Sequence, residues 1–321
     1  MAHGTTVVDE QVLEHLERLL QADIFPLETF IDEITDTSLE GTKINAYFRF
    51  IKLDGNGRPM VKKLTDEMFH HLIHYVMPRK KIKTEGEDAK TQRVTFSRII
   101  EEGKRLFVKN PNSGEGGEFL LYLIAEKYLK LPQVLCKMPL KTSSNVHVHG
   151  TDGIHVKYEK DTRILALYWC ESKLYASVGS AIDECFASVA PFLLEVGGSA
   201  DRQDRDLQLF RDNIGDNIDD TDMENAILEY LNPNHKNFSK CEYRGICLVG
   251  FDNDSYPTES NCKNTDQIKN EFRVQVSDWK DKLCKSIFKH EINTFIIEVF
   301  CLPFPSVQNF RDLFLETLGI K

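Results

Sequence analysis

Ile164-Leu165-Ala166-Leu167-Tyr168-Trp169-Cys170-Glu171-Ser172-Lys173 is the stretch on which the fold turns. It opens with seven apolar residues, rich in strand formers, and predicts a strand over Arg163 to Lys173. Strand side chains alternate between faces. Glu171 and Lys173 therefore project to one side, with Leu167 and Trp169 behind them. An acid and an amine in one row can touch the same ligand.

Upstream, Ile154 to Tyr158 predicts a shorter strand, joined to the first by a hairpin around Lys160-Asp161. Antiparallel neighbours lie about 5 Å apart. Asp152, at the mouth of this strand between Gly150 and Gly153, could then reach a cation also held by Glu171. The main-chain carbonyl of Ser172 could add a further oxygen. Hard oxygen donors of this kind suit Mg²⁺ (or Mn²⁺).

Further out, Gln133 to Leu140 predicts another strand. Glu118 to Leu129 predicts a strongly apolar helix, with Glu118 in its first turn, where an acid also serves the helix dipole. Downstream, Ser180-Ala181-Ile182-Asp183 has capping-box spacing for a helix reaching about Leu194. Gly245 to Phe251 and Thr294 to Phe300 read as β-rich, and Thr265 to Lys289 and Val307 to Leu318 as helices. Before these come a helix over Asp9 to Asp23, a strand over Ile44 to Ile51, and the turn Asp54-Gly55-Asn56-Gly57. Helices over Leu64 to Met77 and Phe96 to Val108 flank a polar, basic stretch from Pro78 to Lys90. Helix, three strands, helix, strand in the centre predicts an α/β (α+β) fold, a mixed sheet flanked by helices. The glycine-rich break at Asn110 to Gly117 predicts a boundary between an N-terminal α+β subdomain, 1–110, and the site-bearing domain, 111–321.

The 321 residues suffice for one large core, and 41% hydrophobic with 28% charged residues is ordinary for a soluble globular protein. No apolar run exceeds about eight residues, far short of a membrane span. The N-terminus lacks a secretory pattern, and the eight cysteines lack C-x-x-C spacing, so a reducing cytoplasmic setting is expected. Neither G-x-x-x-x-G-K-[ST] nor G-x-G-x-x-G after a strand occurs, so no nucleotide cofactor is expected by those routes. The net charge of −10 is unevenly placed. Residues 52–109 carry fourteen Lys/Arg against eight acids, whereas 201–224 carry nine acids against three arginines. The local field, not the total, decides phosphate binding. The acidic segment is a candidate shield for the cleft or contact for a partner.

Acid-x-Lys also occurs at Asp88-Ala89-Lys90, Glu102-Gly103-Lys104 and Asp278-Trp279-Lys280, and a salt-bridged strand end would look the same. The apolar strand and the glycine-flanked Asp152 distinguish Glu171-Ser172-Lys173 from these. A zinc hydrolase built on His147, His149 and His155 is the rival. The His-x-His-x-Asp-His pattern is not met, because the aspartate is displaced by one position. His149 and His155 are left to orient Asp152, to touch a phosphate, or to be structural.

With Gly117-Glu118 opening a helix, Asp152 before one strand and Glu171-Ser172-Lys173 on the next, the chain resembles the PD-(D/E)xK, or restriction-endonuclease-like, nucleases. Together with His149-Gly150-Thr151-Asp152-Gly153-Ile154-His155, these residues more narrowly resemble the HamA nuclease subunits of bacterial Hachiman anti-phage systems. The resemblance is carried by about Gly116 to Leu194. It departs from the superfamily where Thr151 replaces a proline, and where Ser177 to Leu194 lacks the Gln or Lys of many members. It implies a Mg²⁺-dependent DNase acting on DNA with a separate HamB-type helicase subunit. In that picture Asp152 and Glu171 hold the metal with the Ser172 carbonyl, Glu118 supports the metal shell or Lys173, and Lys173 orients or deprotonates the attacking water. The alternative is a catalytically inactive DNA-binding or scaffolding subunit of the same complex.

Overall fold

A computed structural model describes residues 12–21, 24–86, 92–110, 112–136, 138–140, 150–194, 200–218, 220–258 and 262–320. In chain order, helices α1 (12–18) and α2 (Leu27–Phe30) precede strands β1 (Ile31–Ser38) and β2 (Ile44–Ile51). Helices α3 (Val61–His70), α4 (Leu72–Val76), α5 (Arg79–Gly86), α6 (Gln92–Lys104) and α7 (Glu115–Leu129) follow. The centre holds β3 (Gln133–Cys136), β4 (Gly153–Glu159), β5 (Ile164–Tyr175) and α8 (Val178–Leu193). Then come α9 (Ala200–Asn213), α10 (Thr221–Leu231), β6 (Cys241–Asp252), α11 (Thr265–Lys289), β7 (Ile297–Phe304) and α12 (Val307–Leu318).

The strands form one mixed sheet of order β1-β2-β7-β6-β5-β4-β3. β5, β6, β7 and β2 run parallel, and antiparallel pairs close both margins. Parallel neighbours need long crossovers; α8 to α10 carry the chain from β5 to β6, and α11 carries it from β6 to β7. The inner strands are covered on both faces, so they read as unbroken apolar runs. Ile246-Cys247-Leu248-Val249 and Val299-Phe300-Cys301-Leu302 are all buried.

On one face Trp169 of β5 stacks on Phe192 of α8, with centroids 5.1 Å apart. Phe48 of β2 and Phe251 of β6 both meet Trp279 of α11. Each such ring pair contributes about 1 kcal/mol beyond its buried area. The other face carries α7 and α12. There Gly117 lies so close to β5 that a Cβ would fall 2.4 Å from Leu174 Cδ1 and 2.6 Å from Ser172 Oγ. Only a residue without a side chain lets the helix sit on the strand at that distance. Further along α7, the fully buried Glu126 accepts hydrogen bonds from the main-chain N–H of Gln21 (2.7 Å) and Gln133 (3.1 Å) and pairs with Arg79. Those partners make its burial tolerable.

The expected helix over Leu64 to Met77 is broken at His71 (φ −100°, ψ 4°) into α3 and α4. The polar stretch after Pro78 is helical over Arg79–Gly86. Ser177, not Ser180, caps α8, its side chain accepting from the Ser180 N–H. The boundary expected near residue 110 does not divide the sheet, because β2 pairs with β7. Among the described residues no helix is long and apolar enough to cross a membrane.

Candidate active site at the carboxyl end of β5

The turn into β4 is built residue by residue for close approach. Gly150 has φ +124°, a conformation that side chains rarely adopt. Thr151 is buried; its N–H donates to Asp206 Oδ2 (2.9 Å) and its hydroxyl donates to the carbonyls of Cys170 and Gly153. The Asp152 N–H donates to the Cys170 carbonyl at 3.0 Å, extending the β4–β5 ladder by one step. At Gly153 a Cβ would fall 2.5 Å from Gln133 Nε2 and 3.1 Å from the Leu135 carbonyl of β3. The Asp152 carboxylate then folds over the strand end, with Oδ2 accepting from the Ser172 N–H at 2.8 Å. The aspartate thus completes the hydrogen bonding of β5 where β4 runs out.

Glu171 and Lys173 share the face covered by α8, as the alternation predicts, and their side chains form an ion pair. The Glu171 side chain is 6% exposed and that of Lys173 24%. The Cys185 thiol of α8 donates to the Glu171 carbonyl at 3.4 Å, fixing the main chain behind the acid. Burial pulls the Lys173 pKa down, but the charges of Glu171 and Asp152 outweigh it and raise it above the ordinary lysine value. The Lys173 ammonium is therefore paired with Glu171 and lies within the field of Asp152. Beside them opens a cavity of about 450 Å³, lined by Gly150, Glu171, Lys173, Ser188, Phe192, Arg202 and Arg205.

The other residues singled out from the sequence are placed differently. Glu118 is half-buried in the first turn of α7, and its neighbour Gly117 contacts Ser172 and Leu174. Glu118 therefore approaches β5 from the helix layer opposite the Glu171–Lys173 row. Its near neighbour Glu115 is buried and closes the preceding loop, accepting from the Val108 N–H (2.8 Å) and the Ser113 hydroxyl (3.2 Å). His155 is fully buried, and its Nδ1 lies 2.6 Å from the Leu131 carbonyl. A carbonyl can only accept, so Nδ1 carries the proton; burial holds the imidazole pKa down to about 4, so the ring stays neutral. Of the three roles open to His155, the geometry matches the structural one, since a ring sealed in the core cannot touch a phosphate. His149 lies outside the described residues.

Sequence reading missed Arg202 and Arg205. They belong to a segment whose net charge is −6 (nine acids, three arginines), yet α9 turns these two guanidiniums to the cavity. Its acids Asp204 and Asp212 are exposed, while Asp206 is buried on Thr151. Among the described residues, no acid of this segment lines the cavity.

Among the described residues, no three His, Cys, Asp or Glu side chains converge as a metal-ligating group. The available donors are two carboxylates and main-chain oxygens. Such a set fits Mg²⁺, which takes hard oxygens and commonly uses one or two carboxylates, the remainder being water and substrate phosphate. The nearby thiols of Cys170 and Cys185 are buried, and burial raises their pKa values well above the free value.

The fold and this strand end define the class: a mixed α/β protein in which an acidic loop and an acid-x-lysine strand meet beside a solvent cavity. The HamA family model matches residues 27–318. The chain belongs to the HamA family and is thereby a component of Hachiman antiviral defence. No curated protein matches it.

Proposed function

We propose that this chain is a metal-dependent DNA nuclease subunit, hydrolysing phosphodiester bonds and restrained or activated by a HamB-type helicase partner. The supporting observation is the convergence of Asp152, Glu171 and Lys173 on one strand end beside a cavity with a basic wall. Asp152 and Glu171, with the Ser172 carbonyl, would hold Mg²⁺ or Mn²⁺. Such an ion, when bound, lowers the pKa of coordinated water and neutralises charge on the scissile phosphate. Asp152 is oriented by the hydrogen bond from the Ser172 N–H. Lys173 places an ammonium beside the carboxylates, where it counters negative charge gathering on phosphate oxygens in the transition state. Glu118 is a supporting acid delivered from α7. A catalytically inactive DNA-binding or scaffolding subunit is the second reading, favoured by the closed Glu171–Lys173 ion pair.

Plasmid DNA incubated with wild type and Glu171→Ala, in Mg²⁺ or EDTA, separates the two. The nuclease reading expects cleavage by wild type only with Mg²⁺, and a loss on the order of 10²–10³-fold in the variant. Less cleavage by the co-purified helicase complex than by the free subunit would show restraint. Variant rates within about threefold of wild type would reject the assignment, being far below the loss expected when a stabilising group is removed.

A further inference from the structure

We propose that Arg202 and Arg205 of α9 form the phosphate clamp of this cleft, gripping the sugar–phosphate backbone of the nucleic acid presented to Asp152, Glu171 and Lys173. The inference rests on the nuclease reading for the identity of the ligand, but on its own observations for the residues.

The first observation is the charge left over in the cavity. Of the charged residues lining it, Glu171 and Lys173 are spent on each other, leaving two guanidiniums. Arg202 is exposed and has no carboxylate partner among the described residues. Arg205 is 46% exposed and lies 3.8 Å from Asp206, longer than a hydrogen-bonded pair. The other oxygen of Asp206 is already committed to the Thr151 N–H. The cavity wall therefore carries one guanidinium, Arg202, with no carboxylate partner among the described residues, and a second, Arg205, paired with Asp206 only at 3.8 Å.

The second observation is how the helix bearing the pair is anchored. Three residues apart, they share a helix face and are offset by about 4.5 Å along the axis. The next face of α9 is sunk into the protein. Gln203 is buried and donates to the Phe192 carbonyl at 2.7 Å, and Phe192 itself lines the cavity and stacks on Trp169. Asp206, fully buried, takes the N–H of Thr151, the residue immediately before Asp152. The arginine helix is thus tied to the acidic loop by a buried hydrogen bond. A phosphate seated on the arginines would lie on the same side of the cleft as the carboxylates, and such positioning is what catalysis requires.

The chemistry matches a phosphodiester. A guanidinium presents a planar fork of donors suited to two phosphate oxygens and keeps its charge at any working pH. Contacts to phosphate place a backbone without reading its bases. Cleavage should accordingly depend on arginine contacts on one side of the attacked bond and be indifferent to the bases there.

The test measures binding apart from cleavage. The parent is the full chain carrying Glu171→Ala; the probes are fluorescein-labelled duplex and single-stranded DNA of one sequence, with Ca²⁺, titrated across a salt series. Adding Arg202→Ala with Arg205→Ala should weaken binding about tenfold or more and lower the slope of log affinity against log salt by about two. Arg202→Lys with Arg205→Lys should keep most of the slope, which guards against misfolding as the cause. Unchanged affinity and slope in the folded double-alanine chain, or no DNA binding by the parent, would overturn the clamp. Normal plasmid cleavage by the double-alanine variant of the wild-type chain would sink the clamp and leave the nuclease reading standing. Arginine-dependent DNA binding without cleavage by wild type would do the reverse.

Discussion

The two ends of β5 and β6 carry charged clusters of opposite character. At the amino end of β6, the buried Arg244 pairs with Glu159 at 2.7 Å, hydrogen-bonds Glu242 through Nε at 3.0 Å, and donates to the Tyr168 hydroxyl at 3.0 Å. Its guanidinium also lies over the Tyr168 ring. Burial pulls its pKa down, but the bonds to Glu159, Tyr168 and Glu242 outweigh that and hold the proton more tightly than usual. At the carboxyl end of β5, the Lys173–Glu171 pair borders a cavity and two further arginines look into it. Arg244 is satisfied within the protein, whereas the other cluster includes a guanidinium, Arg202, with no carboxylate partner among the described residues, and room for a ligand. Residue types alone do not separate structural charge from functional charge; a charge without a partner beside accessible space does.

The comparison can be broken most strongly at its closed end. Arg244→Ala removes the partner of two carboxylates and of a buried hydroxyl. Unfolding in denaturant should show a loss of about 3 kcal/mol, the low end for a buried pair because both glutamates can turn to water. DNA cleavage per folded molecule should be unchanged. A stable variant with impaired cleavage would invert the assignment of the two ends.

Acid should separate the ends as well. Arg244 holds the Glu159 pKa below its ordinary value, so that contact persists as pH falls to the usual carboxylate range and is lost only below it. His155, next to the acidic loop, is neutral in the fold to about pH 4, whereas the unfolded chain binds its proton near 6.5. The unfolded state therefore gains protons first, and stability drains away as pH drops from 6.5 towards 4. At about 1.4 kcal/mol per pH unit, this interval corresponds to roughly 3 kcal/mol. Buried His71, also held near 4, has the same sign. Denaturant midpoints taken across this window should fall less steeply for His155→Gln than for wild type; parallel slopes would remove His155 from the account.

The smallest effect concerns the seat of α7 on β5. In Gly117→Ala, the new methyl meets Ser172 and Leu174, and overpacking of this kind costs about 1–3 kcal/mol. Because Ser172 donates its N–H to Asp152, cleavage should fall further than the lost stability explains. Wild-type cleavage from a destabilised variant would show that the α7 side does not govern the strand end.

Much of this was legible in the chain because local signals agreed. The ends of α11 and α12 match their expected limits, since Asn264 and Gln267 form a capping box, Ser306 caps α12, and Gly319 ends it with φ +70°. The Glu171–Lys173 row follows from strand alternation, and the glycines around Asp152 set this acid-x-lysine apart from the other three. β1 went unread because Ile-Asp-Glu-Ile-Thr-Asp-Thr-Ser is a polar edge strand, paired only with β2. The arginine pair went unread because a count of charge over 201–224 averages the faces of a helix. Spacing would have put Arg202 and Arg205 on one side, but only the fold shows that this side meets β5.

The hydrogen bond from Thr151 to Asp206 has a mechanical consequence. A displacement of α9 would be passed through one buried carboxylate to the main chain preceding Asp152. Tilting the helix would shift Asp152 relative to Glu171 and Lys173, the two charges fixed on β5.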